Sequence, residues 1–237
     1  MIPLQDENPT RSFPVVTVAL IVLNCLVFFY QLSLGKLGEA LIYRYGAIPC
    51  IITHTCKVSY EVGFDSGIPF SAQTTLLSSM FLHGGFFHLI GNMLYLWIFG
   101  NNVEDSMGHL RFTVFYLVCG VVAALSHILT SPGSRIPMIG ASGAISGVLG
   151  AYLFLYPHAQ ILTLLIFGFF IRTVRIPALF VLGFWIIIQF INGTVSLGSM
   201  ERGGTAWFAH IGGFIAGLFL IHFFKKSEPY GDRWEWR

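Results

Sequence analysis

The chain has 237 residues, of which 55% are hydrophobic and 10% are charged. Because a soluble domain carries about 25% charged residues, this composition predicts a polytopic membrane protein and excludes a separate soluble domain. The formal net charge of +2 is too small to indicate a nucleic-acid partner, whereas the lipid bilayer is the expected surrounding.

Six apolar segments have about the length, roughly 20 residues, that crosses the hydrocarbon core of a bilayer as a helix. Residues 1–13 precede them as a short polar head, and residues 225–237 follow them as a polar tail. The first apolar run is too long for a signal peptide and lacks a small-residue cleavage site, so an uncleaved first span is expected. The predicted spans cover residues 14–32, 81–100, 112–130, 139–156, 176–192 and 205–224.

Two segments between these spans are not predicted to cross the membrane. Residues 34–80 form a long connection without a long apolar run, and long loops are often functional. Residues 161–171 are apolar but too few to span, so an interfacial or re-entrant segment is expected there. With six spans, the second, fourth and sixth run in the same direction, and their N-terminal ends lie at one membrane face.

The positions of Lys and Arg predict the orientation of the chain. With a cytoplasmic N-terminus, eight of these residues lie inside and five lie outside, which places both termini in the cytoplasm and the shared N-terminal ends outside. The inside set is Arg11, Arg111, Arg172, Arg175, Lys225, Lys226, Arg233 and Arg237, and the outside set is Lys36, Arg44, Lys57, Arg135 and Arg202.

Polar groups inside membrane spans are costly, which makes each of them a candidate for function. None of the 11 carboxylates falls inside a predicted span, which excludes an intramembrane aspartyl protease and argues against an ion-coupled transporter. The His-Glu-x-x-His motif is absent from the sequence, which excludes a zincin-like metalloprotease. Serine and histidine remain as the main candidate groups.

The segment that begins the fourth predicted span, residues 139–150, places Ser142 between Gly140 and Gly143. A serine between glycines at a helix start is exposed on one side and lies near backbone N–H groups without an intrahelical partner, which suits a nucleophile. The same small residues equally suit a packing seam between membrane helices.

A histidine in the sixth predicted span is the candidate base for this serine. His210 is followed at helical spacing by Gly213 and Gly217, and Ser142 is followed by further small residues. Two such stripes at matching depth can pack closely and bring the Ser142 hydroxyl within hydrogen-bond reach of the His210 imidazole, the geometry of an activated nucleophile. Alternatively, His210 only satisfies a neighbouring backbone carbonyl.

Two hydrogen-bond donors near the start of the second predicted span lie on one helical face. His88 and Asn92 stand four residues apart, so their side chains point the same way. Together with the backbone N–H of Ser142 they could stabilise a tetrahedral oxyanion, where one such donor is worth about 3–4 kcal/mol. The alternative is an interhelical hydrogen bond, worth about 0.6–2 kcal/mol.

Three motifs that occur in order on alternate spans make the chain resemble the rhomboid intramembrane serine proteases over nearly its whole length. Each motif alone is weak, but the three together are highly specific. They are residues 80–88 (Met-Phe-Leu-His-Gly-Gly-Phe-Phe-His) with Asn92, residues 140–143 (Gly-Ala-Ser-Gly), and residues 209–213 (Ala-His-Ile-Gly-Gly) with Gly217.

The resemblance implies an all-α bundle of six transmembrane helices with a long outside loop, in a bacterial inner membrane. It also implies a catalytic dyad without a third group on the imidazole, in which Ser142 is the nucleophile and His210 the general base. His88, Asn92 and the Ser142 N–H would form the oxyanion site, and no metal or cofactor is expected. The substrates would be single-span or multi-span membrane proteins, cleaved in or near a transmembrane segment.

The resemblance further assigns structural roles to His83 and to Glu104, which follows the second predicted span. It places part of the loop 34–80 in the outer leaflet and makes the fifth span the gate for substrate. The sequence departs from some family members in two ways: Ser146 stands where they have an aromatic ring stacked on the catalytic histidine, and a Trp-Arg pair in the first loop is not found before His83.

The cysteines of the long loop leave two possibilities open. Cys50 and Cys56 could form a disulfide on an oxidising face or stay reduced. A metal site built from Cys50, His54 and Cys56 is disfavoured because a fourth ligand is lacking. Cys25 and Cys119 are expected in the core, and Tyr152 and Gln189 in packing or interhelical bonding. His127, His158 and His222, which lie near span ends, are expected at the membrane interface.

The sequence therefore favours an intramembrane serine endopeptidase with its active site towards the outside. Two other classes stay open: a catalytically silent relative that binds client membrane proteins, and a transporter or channel. The intact pair of Ser142 and His210 argues against the first, and the lack of a continuous polar path argues against the second.

Overall fold

The computed structural model describes residues 1–56, 71–168, 170–198 and 205–226, and within them the chain is mostly helical. Four of the Lys and Arg residues that predict the orientation lie outside these residues, namely Lys57, Arg202, Arg233 and Arg237. The helices are α1 (Val15–Ser33), α2 (Lys36–Tyr45), α3 (Pro49–Ile52), α4 (Thr75–Ser78), α5 (Phe86–Met107), α6 (His109–Thr130), α7 (Ser142–Leu155), α8 (Ala178–Gly198) and α9 (Trp207–Phe224). The strands are β1 (Ile2–Asp6), β2 (Gln160–Phe167) and β3 (Phe170–Pro177).

Helices of membrane-spanning character form most of this bundle. Within the described ranges, α1, α6, α8 and α9 are both long and apolar enough to cross a membrane. Helix α7 is apolar but has only 14 residues, and α5 has 22 residues but carries several polar side chains. Except for α5, the long helices begin within a few residues of the predicted spans, and α8 continues past residue 192 to Gly198.

Helix α5 differs most from its predicted span, residues 81–100. It begins only at Phe86, because residues 79–81 form a tight 3-10 turn and Leu82 is extended. It ends at Met107, before Gly108 with its positive φ of 84°. Glu104 and Asp105 therefore lie in its last helical turns, beyond the end of the predicted span.

A three-stranded antiparallel sheet corrects the prediction of an all-α fold. Strand β1 pairs with β2 from Ile2↔Leu164 to Asp6↔Ile161, and β2 pairs with β3 from Gln160↔Pro177 to Phe167↔Phe170. The segment 161–171 is thus most of a β-hairpin, and the polar head 1–13 contains its third strand. β-Branched residues on both sides of Gly168, whose φ is 57°, favour this hairpin.

Glycines bring α7 and α9 into backbone contact, as the two small-residue stripes predict. A Cβ atom at Gly213 would overlap the carbonyl oxygen of Gly143, and one at Gly217 would overlap that of Gly147. Any side chain at these positions would push the helices apart. The close approach fixes the depth of the first turn of α7 relative to the first turn of α9.

The segment that follows α2, residues 46–56, packs on the loop that precedes α7. Ala47 and Met138 exchange backbone hydrogen bonds, and Cys50 N donates to Ser134 O at 2.9 Å. Cys50 and Cys56 form a disulfide, which decides between the two states that the sequence left open. The described part of the long connection is thus hydrogen-bonded to the loop that leads into Ser142.

The two ends of the bundle differ in structure, and we call them the sheet end and the cavity end. The sheet end contains β1–β3 and the C-terminal ends of α5, α7 and α9; there the Lys226 backbone N–H donates to Ser106 O at 3.0 Å. The cavity end contains the N-terminal ends of the same three helices. These helices therefore run in the same direction, as six alternating spans predict.

Candidate functional site

Ser142 and His210 meet at the cavity end. The Ser142 hydroxyl Oγ lies 2.8 Å from His210 Nε2, across the close α7–α9 contact. Ser142 is the first residue of α7, where backbone N–H groups lack intrahelical partners and the helix dipole favours negative charge. Both side chains are half-buried. The arrangement provides a hydroxyl with an adjacent proton acceptor.

His88 and Asn92 of α5 face this pair from the other side. His88 Nδ1 accepts a hydrogen bond from Gly84 N–H at 3.4 Å, so in the neutral ring Nε2 carries the proton. The backbone of Gly140, with φ of 117°, lies next to the His88 and Asn92 side chains. A Cβ atom at Gly140 would lie 2.7 Å from His88 Nε2 and 3.6 Å from Asn92 Nδ2. The glycine therefore leaves open the space that the donors face.

His83 lies behind Asn92 and does not line the open space. Its Nε2 is 3.0 Å from Asn92 Nδ2, which leaves the second amide proton of Asn92 available. The amide side chain of Gln31 on α1 holds the His83 backbone from both sides, accepting from its N–H at 3.2 Å and donating to its carbonyl at 3.3 Å. These contacts hold Asn92 in place.

A cavity of about 1000 Å³ joins these groups. Within the described part of the chain, no Asp, Glu, Lys or Arg side chain lines it. Its lining includes Tyr95, Trp185 and Trp207, and the loop 131–139 forms its rim. His127, predicted only to be near a span end, also lines this cavity. The site therefore combines apolar and aromatic side chains with many uncharged hydrogen-bonding groups, mostly hydroxyls and imidazoles.

The His210 ring has a second polar partner, and this partner is Gln189, for which the sequence predicted packing or interhelical bonding without identifying the contact. Gln189 Oε1 on α8 lies 2.8 Å from His210 Nδ1. The expectation that no third group reaches this imidazole is therefore wrong. The sequence marked Gln189 as a polar residue inside the fifth predicted span but could not identify its partner, because Gln189 precedes His210 by 21 residues on a different helix.

Tryptophans flank the same ring. The ring centroids of Trp185 and Trp207 lie 5.8 Å and 6.2 Å from that of His210. Ser146, which stands where some relatives have an aromatic residue, donates its hydroxyl to Ser142 O at 2.6 Å. The imidazole is therefore flanked by aromatic rings from α8 and α9, whereas the Ser146 hydroxyl bonds within α7.

The predicted structural carboxylate, Glu104, lies at the sheet end. One of its oxygens accepts from Val16 N–H at 2.9 Å and the other from Thr17 N–H at 2.8 Å, so it caps the first turn of α1. His109 Nδ1 completes the group at 2.6 Å. Glu104 is fully buried and lies at the opposite end of α5 from His88.

The buried Asp6 of β1 was not singled out from the sequence. Its Oδ2 accepts hydrogen bonds from Asn102 Nδ2 at 2.6 Å and from Tyr152 OH at 3.0 Å. Burial raises the pKa of Asp6 to about 6. Tyr152 is fully buried and packs on Phe99 of α5, which agrees with the predicted packing role, but its hydrogen bond goes to the N-terminal strand and not to another helix.

The other predicted residues lie away from the cavity lining. The sulfur atoms of Cys50 and Cys56 are bonded to each other and cannot act as thiolate ligands to a metal. Cys119 is buried and Cys25 is half-buried, both as free thiols. His222, in the last turn of α9, stacks on Phe154 with ring centroids 4.3 Å apart.

Comparison with known proteins identifies the family. A model of the rhomboid domain matches residues 71–227, which include Ser142, His210, His88 and Asn92. The RHOMBOID-like protein 5 of Arabidopsis thaliana is 38% identical over 66% of this chain and 45% of its own length. The mitochondrial Rhomboid protein 1 of Saccharomyces cerevisiae is 30% identical over 66% of this chain and 43% of its own length.

A bacterial relative covers almost the whole chain. YdcA of Bacillus subtilis is 26% identical over 93% of this chain and 94% of its own length. By contrast, the chain spans less than half the length of the plant and yeast relatives. The family match covers well over half of the chain, and the apolar helices agree with it. This chain therefore belongs to the rhomboid family and is an integral membrane protein.

Proposed function

We propose that the protein is an intramembrane serine endopeptidase that hydrolyses peptide bonds in or near the transmembrane segments of other membrane proteins. The observation that carries this proposal is the 2.8 Å distance between Ser142 Oγ and His210 Nε2 at the wall of the cavity. A hydroxyl next to an imidazole in an open chamber, facing two further donors, is the arrangement that acyl transfer requires.

In the first half of the reaction, Ser142 Oγ attacks the substrate carbonyl while His210 Nε2 takes the hydroxyl proton. The developing oxyanion lies in the space before Gly140 and accepts hydrogen bonds from His88 Nε2–H, the second Asn92 N–H and the Ser142 backbone N–H. His210 then gives its proton to the leaving amine, and the carbon–nitrogen bond breaks.

The resulting acyl-enzyme is an ester of Ser142. A water molecule entering through the cavity gives a proton to His210 Nε2 and attacks the ester carbonyl. The same three donors stabilise the second oxyanion. Its collapse returns the proton to Ser142 Oγ and releases the carboxylic acid product, so the enzyme is regenerated without a metal or cofactor.

The orientation belongs to the same proposal. Six helices, α1 and α5–α9, cross the membrane, with the sheet end and both termini in the cytoplasm. Helix α7 is about 21 Å long, whereas the hydrocarbon core is about 30 Å thick. If its C-terminal end lies at the inner boundary, Ser142 lies within the membrane and below the outer face, where water reaches it through the cavity.

The substrate must unwind locally, because a helix hides its carbonyl groups in internal hydrogen bonds. Small or helix-breaking residues near the cleaved bond lower the cost of this unwinding. Helix α8 carries Trp185, which lines the cavity, and is the proposed gate through which a transmembrane segment enters from the lipid.

The test is cleavage of a single-span model substrate by the full chain in liposomes. Ser142→Ala is expected to abolish cleavage and labelling by a fluorophosphonate, which bonds to the activated serine with loss of fluoride. Thr113→Val, on α6 and outside the cavity lining, removes a hydroxyl that bonds to His109 O of its own helix and should cleave normally. Undiminished cleavage by Ser142→Ala contradicts the proposal.

A further inference from the structure

The buried side chain of Gln189 on α8 lies against the His210 imidazole. We propose that Gln189 is a positioning residue that holds His210 in the one neutral tautomer able to accept the Ser142 proton. The inference rests on the proposed function, because it concerns the base of the same reaction. It converts the expected pair into a chain of three groups: Ser142, His210 and Gln189.

The hydrogen-bond geometry assigns the tautomer. Gln189 Oε1 can only accept a hydrogen bond, and it lies 2.8 Å from His210 Nδ1, so Nδ1 must carry the proton. In a neutral imidazole the lone pair is then on Nε2. That nitrogen lies 2.8 Å from Ser142 Oγ and is ready to accept its proton.

The amide of Gln189 is itself held in one orientation. Its Nε2 donates to the carbonyl oxygen of Trp185, one turn earlier on α8, at 3.1 Å. Rotating the amide by 180° would turn this donor towards His210 and leave the Trp185 carbonyl without it. Because Gln189 is only 5% exposed, water cannot readily replace the lost bonds.

Among the described residues, Gln189 is the hydrogen-bond partner that the structure gives to His210 Nδ1. The side-chain hydrogen bonds of His210 within the described residues go to Gln189 and Ser142. The cavity lining near the ring contributes the imidazoles of His88 and His127 and the indoles of Trp185 and Trp207, and no carboxylate is among the described lining residues. The indoles restrain the ring through packing but have no oxygen to accept the Nδ1 proton.

The departure at Ser146 explains why an amide is useful in this chain. An aromatic ring at this position would pack on the imidazole, but the Ser146 hydroxyl instead bonds to Ser142 O. Support from α7 is therefore missing, and a contact from α8 replaces it. The amide adds what packing alone cannot: it distinguishes the two ring nitrogens.

The experiment compares two substitutions of nearly equal size in the full chain in liposomes. Gln189→Met keeps the length of the side chain but removes the acceptor, whereas Gln189→Glu keeps an acceptor oxygen. We expect Gln189→Met to lower kcat and the rate of fluorophosphonate labelling by about 10²-fold with little change in KM, since a wrong tautomer costs up to about 10⁴-fold where the third group is charged. Gln189→Glu should recover most of this loss.

Thr194→Val is the matched control on α8, because the Thr194 hydroxyl is exposed and bonds only to Ile191 O of its own helix. It should react within about two-fold of the wild type. A loss of activity through general loosening of α8 would affect both Gln189 variants alike and would lower their unfolding midpoints, which are measured in parallel.

The readout that depends on neither substrate nor probe is the ¹⁵N NMR spectrum of histidine-labelled protein. The wild type and Gln189→Glu should show His210 with a protonated Nδ1 and a bare Nε2, and Gln189→Met should show a tautomer mixture. A normal kcat in Gln189→Met, or an unchanged tautomer, overturns the positioning role while leaving the protease assignment intact. A wild type that neither cleaves nor labels contradicts the protease assignment, and the spectrum still decides the role of Gln189.

Discussion

The two ends of the bundle use buried polar groups in opposite ways. At the sheet end, Glu104 accepts hydrogen bonds from the α1 backbone, from the Thr17 hydroxyl and from His109, and Asp6 accepts from Asn102 and Tyr152. At the cavity end, His88 Nε2 and the second amide proton of Asn92 face open space. The partners of the first set are within the protein, whereas those of the second set must come from outside it.

This difference separates stabilising from functional polar groups. Leaving a buried polar group without a partner costs about 1–3 kcal/mol, so a folded protein keeps such groups paired wherever nothing else requires them. A paired carboxylate at the sheet end contributes to folding, whereas under the proposed function an open donor at the cavity end is left for the oxyanion. Substitutions at the two ends should therefore change different measurements.

The largest expected effect is on activity at the cavity end. His210→Asn removes the proton acceptor next to Ser142, and kcat should fall by about 10⁴-fold or more, as in comparable sites. The unfolding midpoint should change little. His222→Asn, in the last turn of α9, is the control and should cleave normally. Equal loss in both variants would mean that the histidines of α9 act only on folding.

A smaller loss is expected for one oxyanion donor. His88→Ala removes the Nε2–H that faces the space before Gly140, and kcat should fall by about 10²- to 10³-fold with KM nearly unchanged. The measurement is steady-state cleavage of the model substrate over a range of concentrations. A change confined to KM would place His88 in substrate binding instead.

At the sheet end the same type of truncation should affect stability. Glu104→Ala leaves the N–H groups of Val16 and Thr17 without their acceptor, and the free energy of unfolding should fall by about 3 kcal/mol. Asp105→Ala, the neighbouring and less buried carboxylate, should cost about 1 kcal/mol or less. Both are measured by unfolding in mixed detergent micelles. The comparison fails if the two losses are equal.

A further effect at the sheet end is a pH dependence of stability that originates at Asp6. Because its pKa in the folded protein is about 6, above the ordinary value of 3.8, the folded state binds this proton more tightly than the unfolded state. The contribution of Asp6 to stability is therefore greatest below pH 3.8 and falls as the pH rises to about 6, by at most about 3 kcal/mol.

Comparison with Asp6→Asn isolates this contribution. The variant cannot ionise, so the difference between its unfolding free energy and that of the wild type should change between pH 4 and pH 7, in the direction that favours the wild type at low pH. Parallel curves for the two proteins would show that Asp6 does not titrate in this window.

Several features of the fold could be predicted because they follow from local composition. Apolar runs of roughly 20 residues must form helices in a bilayer, where backbone groups have no water to bind. The approach of Ser142 to His210 was predictable too, because Gly213 and Gly217 leave a flat face that only another small-residue face can fill. The proposed roles of these two residues also come from the sequence.

Other features depend on contacts between distant parts of the chain. Strand β1 has five residues and little apolar pattern, and it forms only because the β2–β3 hairpin, more than 150 residues later, offers an edge. The position of Gln189 beside His210 depends likewise on how α8 packs against α9. Neither contact leaves a periodic signal in the sequence.

By itself the sequence determined the membrane helices, their alternating direction and the residues that carry the proposed chemistry, because hydropathy and small-residue spacing act locally. Only the tertiary structure decided the N-terminal strand, the Cys50–Cys56 disulfide, the burial of Asp6 and the amide on His210. The physical reason is that each of these depends on the distance and direction between atoms of separate elements, which packing sets and composition does not.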